Sequence, residues 1–162
     1  MPVPSQIHTA AHAFRQNGAL LAKSIDGLTA EEWLTSPKET SNPPLWILGH
    51  LVWARAMAVK LLGSTWERPW LPLFARGAKM PAVPECPSHE EVLLGWQDVT
   101  VSLTAALEGA SDEVLGAAAP EKSPSFDGKI SGMVTFLAFH EAYHVGQAAY
   151  LRRWMGHGRI VG

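Results

Sequence analysis

Apolar residues recur every three or four positions in four long segments of this 162-residue chain, and no segment alternates convincingly between apolar and polar residues. Spacing of three and four places side chains on one face of an α-helix, whereas alternation is typical of a strand. Prolines and glycines cluster between the four segments rather than inside them. The pattern therefore predicts an all-α protein, a four-helix bundle around one core without a sheet.

The predicted helices span about residues 5–25, 43–62, 88–109 and 131–155. Two Ser/Thr-x-x-Glu patterns match the capping box, in which a hydroxyl side chain and a glutamate satisfy the first free backbone N–H groups of a helix. Thr29 with Glu32 is expected to open only a short turn, and Ser88 with Glu91 to open the third helix. The chain length suits a single domain over residues 1–162.

The connection between the second and third predicted helices, residues 63–87, is the longest irregular segment. A connection of about 25 residues is unusual in a compact domain and is often functional or a long crossover. Five prolines and five large apolar residues predict that it packs against the bundle: Pro69, Pro72, Pro81, Pro84 and Pro87, with Trp66, Trp70, Leu71, Leu73 and Phe74.

Composition excludes several classes of protein. The net charge of −2 comes without blocks of like charge, so no surface is expected to bind nucleic acid. Charged residues and histidines interrupt the longest apolar stretches, which excludes a membrane span. The N-terminus lacks an export pattern, so a cytoplasmic location is expected. The lone Cys86 allows neither an internal disulfide nor a cysteine-rich zinc site, and any metal must rely on histidine.

The fourth predicted helix contains the sequence HEAYH, which places His140 and His144 one turn apart on the same face. At about 100° per residue, that face also carries the residues expected to meet the core. A buried polar group without a partner costs about 1 to 3 kcal/mol. A shared metal ion would satisfy both rings at once, and a pair of hydrogen-bonded core histidines is the alternative.

Two ligands are rarely enough for a metal, so a third is expected from elsewhere in the chain. His50 is the best candidate, because it lies in the apolar second helix beside Trp46 and Trp53. Taken alone, a histidine in that position is more often a hydrogen-bonded core residue. The remaining histidines lie off the apolar faces or at helix ends: His8, His12, His89 and His157.

HEAYH also matches the short zinc-peptidase pattern HExxH, in which the glutamate is the general base. The extended pattern HExxHxxGxxH fails, because Gln147 and Tyr150 stand where it requires glycine and histidine. Glu141 lies about 60° from His144 around the helix. It is therefore a candidate general base or a partner of a ligand, with a solvated glutamate as the alternative.

The sequences GHL at residues 49–51 and HEAYHVGQ at residues 140–147 resemble the DinB/YfiT-like superfamily of four-helix bundles. The resemblance follows the helix order over nearly the whole chain, including the long connection. It implies that His50, His140 and His144 bind one divalent transition metal, often nickel or zinc. Characterised members include transferases that use a low-molecular-weight thiol and a thiol-dependent maleylpyruvate isomerase. Homodimers are common in the family, so the resemblance also implies a homodimer here.

Two functions follow from these expectations. The first is a metal-dependent thiol S-transferase that acts on small electrophiles, with Glu141 as a candidate base and Gln147 bonded to water or substrate. Trp46, Trp53 and Tyr143 would line its pocket. The second is a non-catalytic, metal-stabilised binding or stress-response protein, in which the site tethers the second helix to the fourth.

Overall fold

The fold is a bundle of α-helices, seen in a computed structural model that describes residues 2–82 and 85–161. Over these residues no strand forms, and one isolated bridge joins Ala118 to Lys129. The predicted all-α class is thereby confirmed. The helices are α1 (His8–Ile25), α2 (Pro44–Leu61), α3 (His89–Gly109), α4 (Asp112–Gly116) and α5 (Ile130–Trp154).

The short helix α4 is the element that the sequence pattern did not predict. Ser111 caps it by accepting a hydrogen bond from the Val114 backbone N–H at 3.2 Å. Five residues make little more than one turn, which is too short to show a helical period. The bundle thus has four long helices, as predicted, and one additional turn of helix before α5.

Both predicted capping residues lie where the sequence places them, and the Thr29–Glu32 box forms both of its hydrogen bonds. Thr29 and Glu32 exchange hydrogen bonds of 2.8 and 3.2 Å and open the 3-10 turn Glu32–Leu34. The Ser88 hydroxyl accepts from the Glu91 backbone N–H and starts α3. Because these contacts are local, the sequence alone is enough to predict them.

Helix α2 is the central element of the bundle. It packs against both α3 and α5, and α5 packs in turn against α1. Most of α2 is buried on every side, including the charged Arg55 and the imidazole of His50. A helix that is apolar all round belongs in the interior. His50 is therefore carried into the core opposite α5.

The long connection packs against this central helix, as its aromatic residues predicted. Its 3-10 turn Leu71–Phe74 contacts α2, and the side chain of Phe74 is fully buried. Pro84, one of the prolines named for this segment, lies outside the described residues. Among the helices that the structure describes, each is too short or too polar to cross a lipid bilayer.

Candidate metal centre

Three histidines from two helices meet in the interior of the bundle. The packing of α2 on α5 brings the Nε2 atom of His50 to 3.3 Å from that of His140, and the Nε2 atom of His144 lies 3.1 Å from the same atom. His50 and His144 are buried and His140 is half-buried. The two candidate ligands from HEAYH and the one from GHL thus form one cluster that could hold a metal ion.

The ring of His50 is held by the long connection. Its Nδ1–H donates to the Phe74 carbonyl at 2.7 Å, which leaves Nε2 as the atom with a free lone pair. Gly49 allows this approach, because a Cβ atom at that position would lie 2.4 Å from a carbon of the Phe74 ring. The glycine of the GHL sequence therefore has a steric role, and the histidine a chemical one.

The ring of His144 is held from within its own helix. Its Nδ1–H donates to Oε1 of Gln147 at 2.8 Å, one turn further along α5. Through this oxygen, Gln147 orients the ring of His144. Histidine ligands of metals ordinarily donate their second ring N–H to such an acceptor, which fixes the tautomer.

The cluster is a poor hydrogen-bonded network but a good set of metal donors. With the Nδ1 protons of His50 and His144 committed, their Nε2 atoms can only accept, and a proton on Nε2 of His140 can satisfy one of them. Nitrogens bound to a tetrahedral zinc at about 2.0 to 2.1 Å lie about 3.3 Å apart. The observed separations of 3.1 and 3.3 Å match that requirement.

All three rings are held in the neutral form that a metal requires. Burial, as the main cause, lowers the pKa of His140 and the pKa of His144 to about 4 each. Burial also lowers the pKa of His50. Repulsion between the neighbouring rings adds to the effect at His140 and His144. Near neutral pH the lone pairs are therefore not protonated.

Two buried side-chain atoms at this site have no hydrogen-bond partner within the described residues: Nδ1 of His140 and Nε1 of Trp46. Buried polar atoms are almost always paired, and exceptions call for an explanation such as a functional role or a missing ion. Both exceptions found in the described part of the chain lie at the histidine cluster, since Trp46 stacks on His50 with ring centroids 4.6 Å apart.

The three aromatic residues predicted to line a pocket, Trp46, Trp53 and Tyr143, lie in different places relative to the histidine cluster. Trp46 is buried against His50, and Trp53 stacks on His50 at 5.4 Å between ring centroids. Trp53 lines a pocket of about 280 Å³ that opens on His50 and His140. Tyr143 is 60% exposed and lies with Gln147 on a separate, larger pocket of about 530 Å³. Of the three predicted pocket residues, Trp53 lies on the pocket beside the cluster, whereas Trp46 and Tyr143 are not among its lining residues.

Glu141 does not join the cluster. Only 1% of it is exposed, and its two carboxylate oxygens accept hydrogen bonds from Arg55 at 2.7 and 2.9 Å. The expectation of a solvated glutamate is wrong, because this side of α5 faces other helices rather than water. Burial raises the pKa of Glu141, while the bonds from Arg55 act in the opposite direction. With both oxygens committed, the geometry argues against a general base.

The other histidines and the cysteine lie outside the cluster. His8 and His12 are exposed, as predicted from their position on α1. His157 pairs with Glu32 at 2.8 Å beyond the end of α5, and His89 stacks on Trp33. Burial raises the pKa of the Cys86 thiol, which disfavours the reactive thiolate.

Sequence reasoning missed three contributors to the site: Phe74, Phe136 and Arg76. Phe74 supplies a backbone carbonyl, which carries no sequence signal of its own. Phe136 lies one turn before His140 in α5 and stacks on it with ring centroids 6.1 Å apart, so helical spacing could have identified it. Arg76 lines the same pocket as His50 and His140 but comes from the long connection, whose path no periodicity predicts.

The fold and the site together define an all-α bundle with a buried three-histidine centre. A family model described as the DinB superfamily matches residues 13–148, which include all three histidines. The chain belongs to the DinB superfamily, and the predicted resemblance is confirmed. No curated protein matches the chain. No solved structure matches it either.

Proposed function

We propose that His50, His140 and His144 bind one divalent transition metal, zinc or nickel, and that the protein is a metal-dependent thiol S-transferase for small electrophiles. The observation that carries the proposal is the approach of the Nε2 atoms of His50 and His144 to that of His140, at 3.3 and 3.1 Å. The Nδ1 protons of His50 and His144 are already donated elsewhere. A divalent metal at such a site supplies Lewis acidity, lowering the pKa of a thiol or of water.

The surrounding residues favour a thiol over water as the nucleophile. Attack by water in HExxH enzymes relies on the glutamate as general base. Here Arg55 holds both oxygens of Glu141, so that carboxylate is not available to accept a proton. A thiol has a pKa near 8.5 and needs less help to ionise than water does. Trp46 and Trp53 both stack on the ring of His50, which is buried.

A second candidate is a metal-stabilised protein without turnover. The cluster joins α2 to α5, and through His50 it also holds the Phe74 carbonyl of the long connection. A metal bound there would stabilise the folded state whether or not a substrate ever reaches it. This candidate requires metal binding but neither thiol binding nor catalysis.

Metal analysis of the purified chain is the first experiment. We expect one equivalent of zinc or nickel in the wild type and in His12→Ala, which removes an exposed histidine of α1. His140→Ala should lose the metal, because one of three donors disappears. Equal metal content in the His140→Ala and wild-type proteins would contradict the site, as would wild-type protein that neither contains metal nor gains thermal stability from added zinc or nickel.

Turnover separates the two candidates. Glutathione, bacillithiol and cysteine are each mixed with the metal-loaded protein and monobromobimane, a small electrophile. In the reaction the thiol loses its proton, sulfur bonds to carbon and bromide leaves. A rate above the uncatalysed one that is lost in His140→Ala supports the transferase. Bound metal without a rate increase for any thiol supports the second candidate.

A further inference from the structure

The pocket beside the histidine cluster combines apolar walls with one arginine. It has a volume of about 280 Å³ and therefore suits a small molecule, since pockets for drug-sized ligands begin at about 300 Å³. The arginine comes from the long connection, and four of the eight lining residues come from α5. The lining residues are His50, Trp53, Arg76, Pro124, Met133, Phe136, Leu137 and His140.

Arg76 differs from the arginines whose side chains are committed to other groups. Arg55 is bound to Glu141, Arg68 pairs with Asp98, and Arg152 donates to backbone carbonyls. Within residues 2–82 and 85–161, no ion pair or side-chain hydrogen bond involves Arg76, although it lies at a pocket that contains no carboxylate. Its guanidinium is therefore available to a ligand.

The charge of Arg76 acts on the same site as the histidines. After burial and the two neighbouring rings, Arg76 is a further cause of the lowered pKa of His140. Among the described residues that line this pocket, Arg76 is the one arginine or lysine. A single guanidinium balances the charge of one carboxylate, whereas a phosphate carries about −1.5 to −2 and calls for more donors.

We infer that this pocket binds a small organic carboxylate, with the carboxylate on Arg76, the apolar body against Met133 and Phe136, and the far end at His50 and His140. The planar fork of the guanidinium matches a carboxylate in two parallel hydrogen bonds. The inference deepens the proposed function, because it identifies the small substrate of the transferase as an acid. For the reaction at the far end of the pocket, it rests on that proposed function. Binding of the acid itself depends only on the pocket.

The test compares hydrocinnamate with its neutral amide, hydrocinnamamide, by isothermal titration calorimetry. These probes share the apolar body and differ in charge. The full chain is used as purified and again after treatment with EDTA. We expect the wild type to bind the acid at least about 10-fold more tightly than the amide in both preparations, an order of magnitude typical of charge-assisted hydrogen bonds.

Three variants make the test specific. Arg76→Gln should lose the preference for the acid, and Arg76→Lys should keep part of it, since it retains charge without the fork. Lys79→Ala removes a positive charge from the same connection at a position that does not line the pocket, and it should bind like the wild type. An acid preference that survives in Arg76→Gln would overturn the inference, and so would a wild type that binds neither probe or does not prefer the acid.

Failure of the proposed function is distinguishable from failure of this inference. A chain that contains no metal and transfers no thiol, yet prefers hydrocinnamate through Arg76, keeps the carboxylate pocket and loses the transferase. A metal-loaded chain that transfers thiols but shows equal affinity for acid and amide keeps the transferase and loses the carboxylate pocket.

Discussion

The contact between Gly49 and Phe74 makes Gly49→Ala an informative substitution. The added Cβ would lie 2.4 to 2.6 Å from three carbons of the Phe74 ring, and ordinary contact begins at 3.4 Å, so the ring must move by about 1.0 Å. Phe74 is fully buried and cannot turn out into solvent. Overpacking of this kind costs about 1 to 3 kcal/mol of the free energy of unfolding.

The same movement should weaken the proposed metal site. The His50 Nδ1–H donates to the Phe74 carbonyl at 2.7 Å, and a displacement of about 1 Å takes that pair beyond hydrogen-bond distance. Loss of the acceptor behind a histidine ligand typically lowers metal affinity about 10- to 100-fold. Urea unfolding in EDTA measures the first effect, and competition with a chromogenic chelator measures the zinc affinity of the folded protein.

Two further variants isolate the cause. Gly95→Ala produces a similar collision, 2.7 Å from the Trp70 ring, without touching a histidine partner. It should lower stability and leave zinc affinity at the wild-type value. Adding Phe74→Leu to Gly49→Ala makes room for the methyl group while keeping the backbone carbonyl, and it should restore part of the affinity. If Gly49→Ala is destabilised but binds zinc as the wild type does, the carbonyl does not position His50.

Two other predictions concern charge in the interior. Glu141→Ala leaves the guanidinium of Arg55 buried without its counter-charge, and it should lower the free energy of unfolding in urea by about 3 to 5 kcal/mol. A loss below about 1 kcal/mol, the value of an exposed ion pair, would contradict the buried pairing. The metal-free protein should lose stability as the pH falls from about 6.5 toward 4. Burial lowers the pKa of His140 and His144 to about 4 in the folded protein. As the pH falls, the unfolded chain therefore binds protons at a higher pH than the folded protein does, and the free energy of unfolding decreases. The slope per histidine stays below about 1.4 kcal/mol per pH unit, because both rings are only partly shielded from water. Urea titrations across that range should show a smaller slope in His140→Gln, and an unchanged slope would refute the assignment.

The parts of the site that the sequence predicted well are those encoded within one element. His140 and His144 lie on the core-facing side of α5 because their spacing and the apolar residues around them share one helical period. The capping residue Ser88 is equally local. His50 is different, since α2 is apolar on nearly every side and has no single core-facing stripe. Its position as a ligand candidate came mainly from the family resemblance.

The prediction for Glu141 was incomplete for a related reason. A helical wheel assumes one buried face, but α5 packs against both α1 and α2, so its interior side is wider than the stripe that carries the histidines. A charged residue can lie within such a wide interior when an opposite charge meets it there. The partner, Arg55, is 86 residues away in sequence, and no local pattern links the two.

The ion pair and the histidine cluster are neighbours on α5, since His140 and Glu141 are consecutive residues that point in directions about 100° apart. The Arg55 guanidinium also donates to the Phe14 carbonyl of α1 and to the Thr100 hydroxyl of α3. These contacts hold the guanidinium in place, so rotation of α5 about its axis would break both of its buried hydrogen bonds to Glu141, each expensive to leave unmade. The pair thus holds the angular position at which His140 and His144 face His50. In this bundle the glutamate of the HExxH sequence acts on the histidines through the orientation of the helix that carries them.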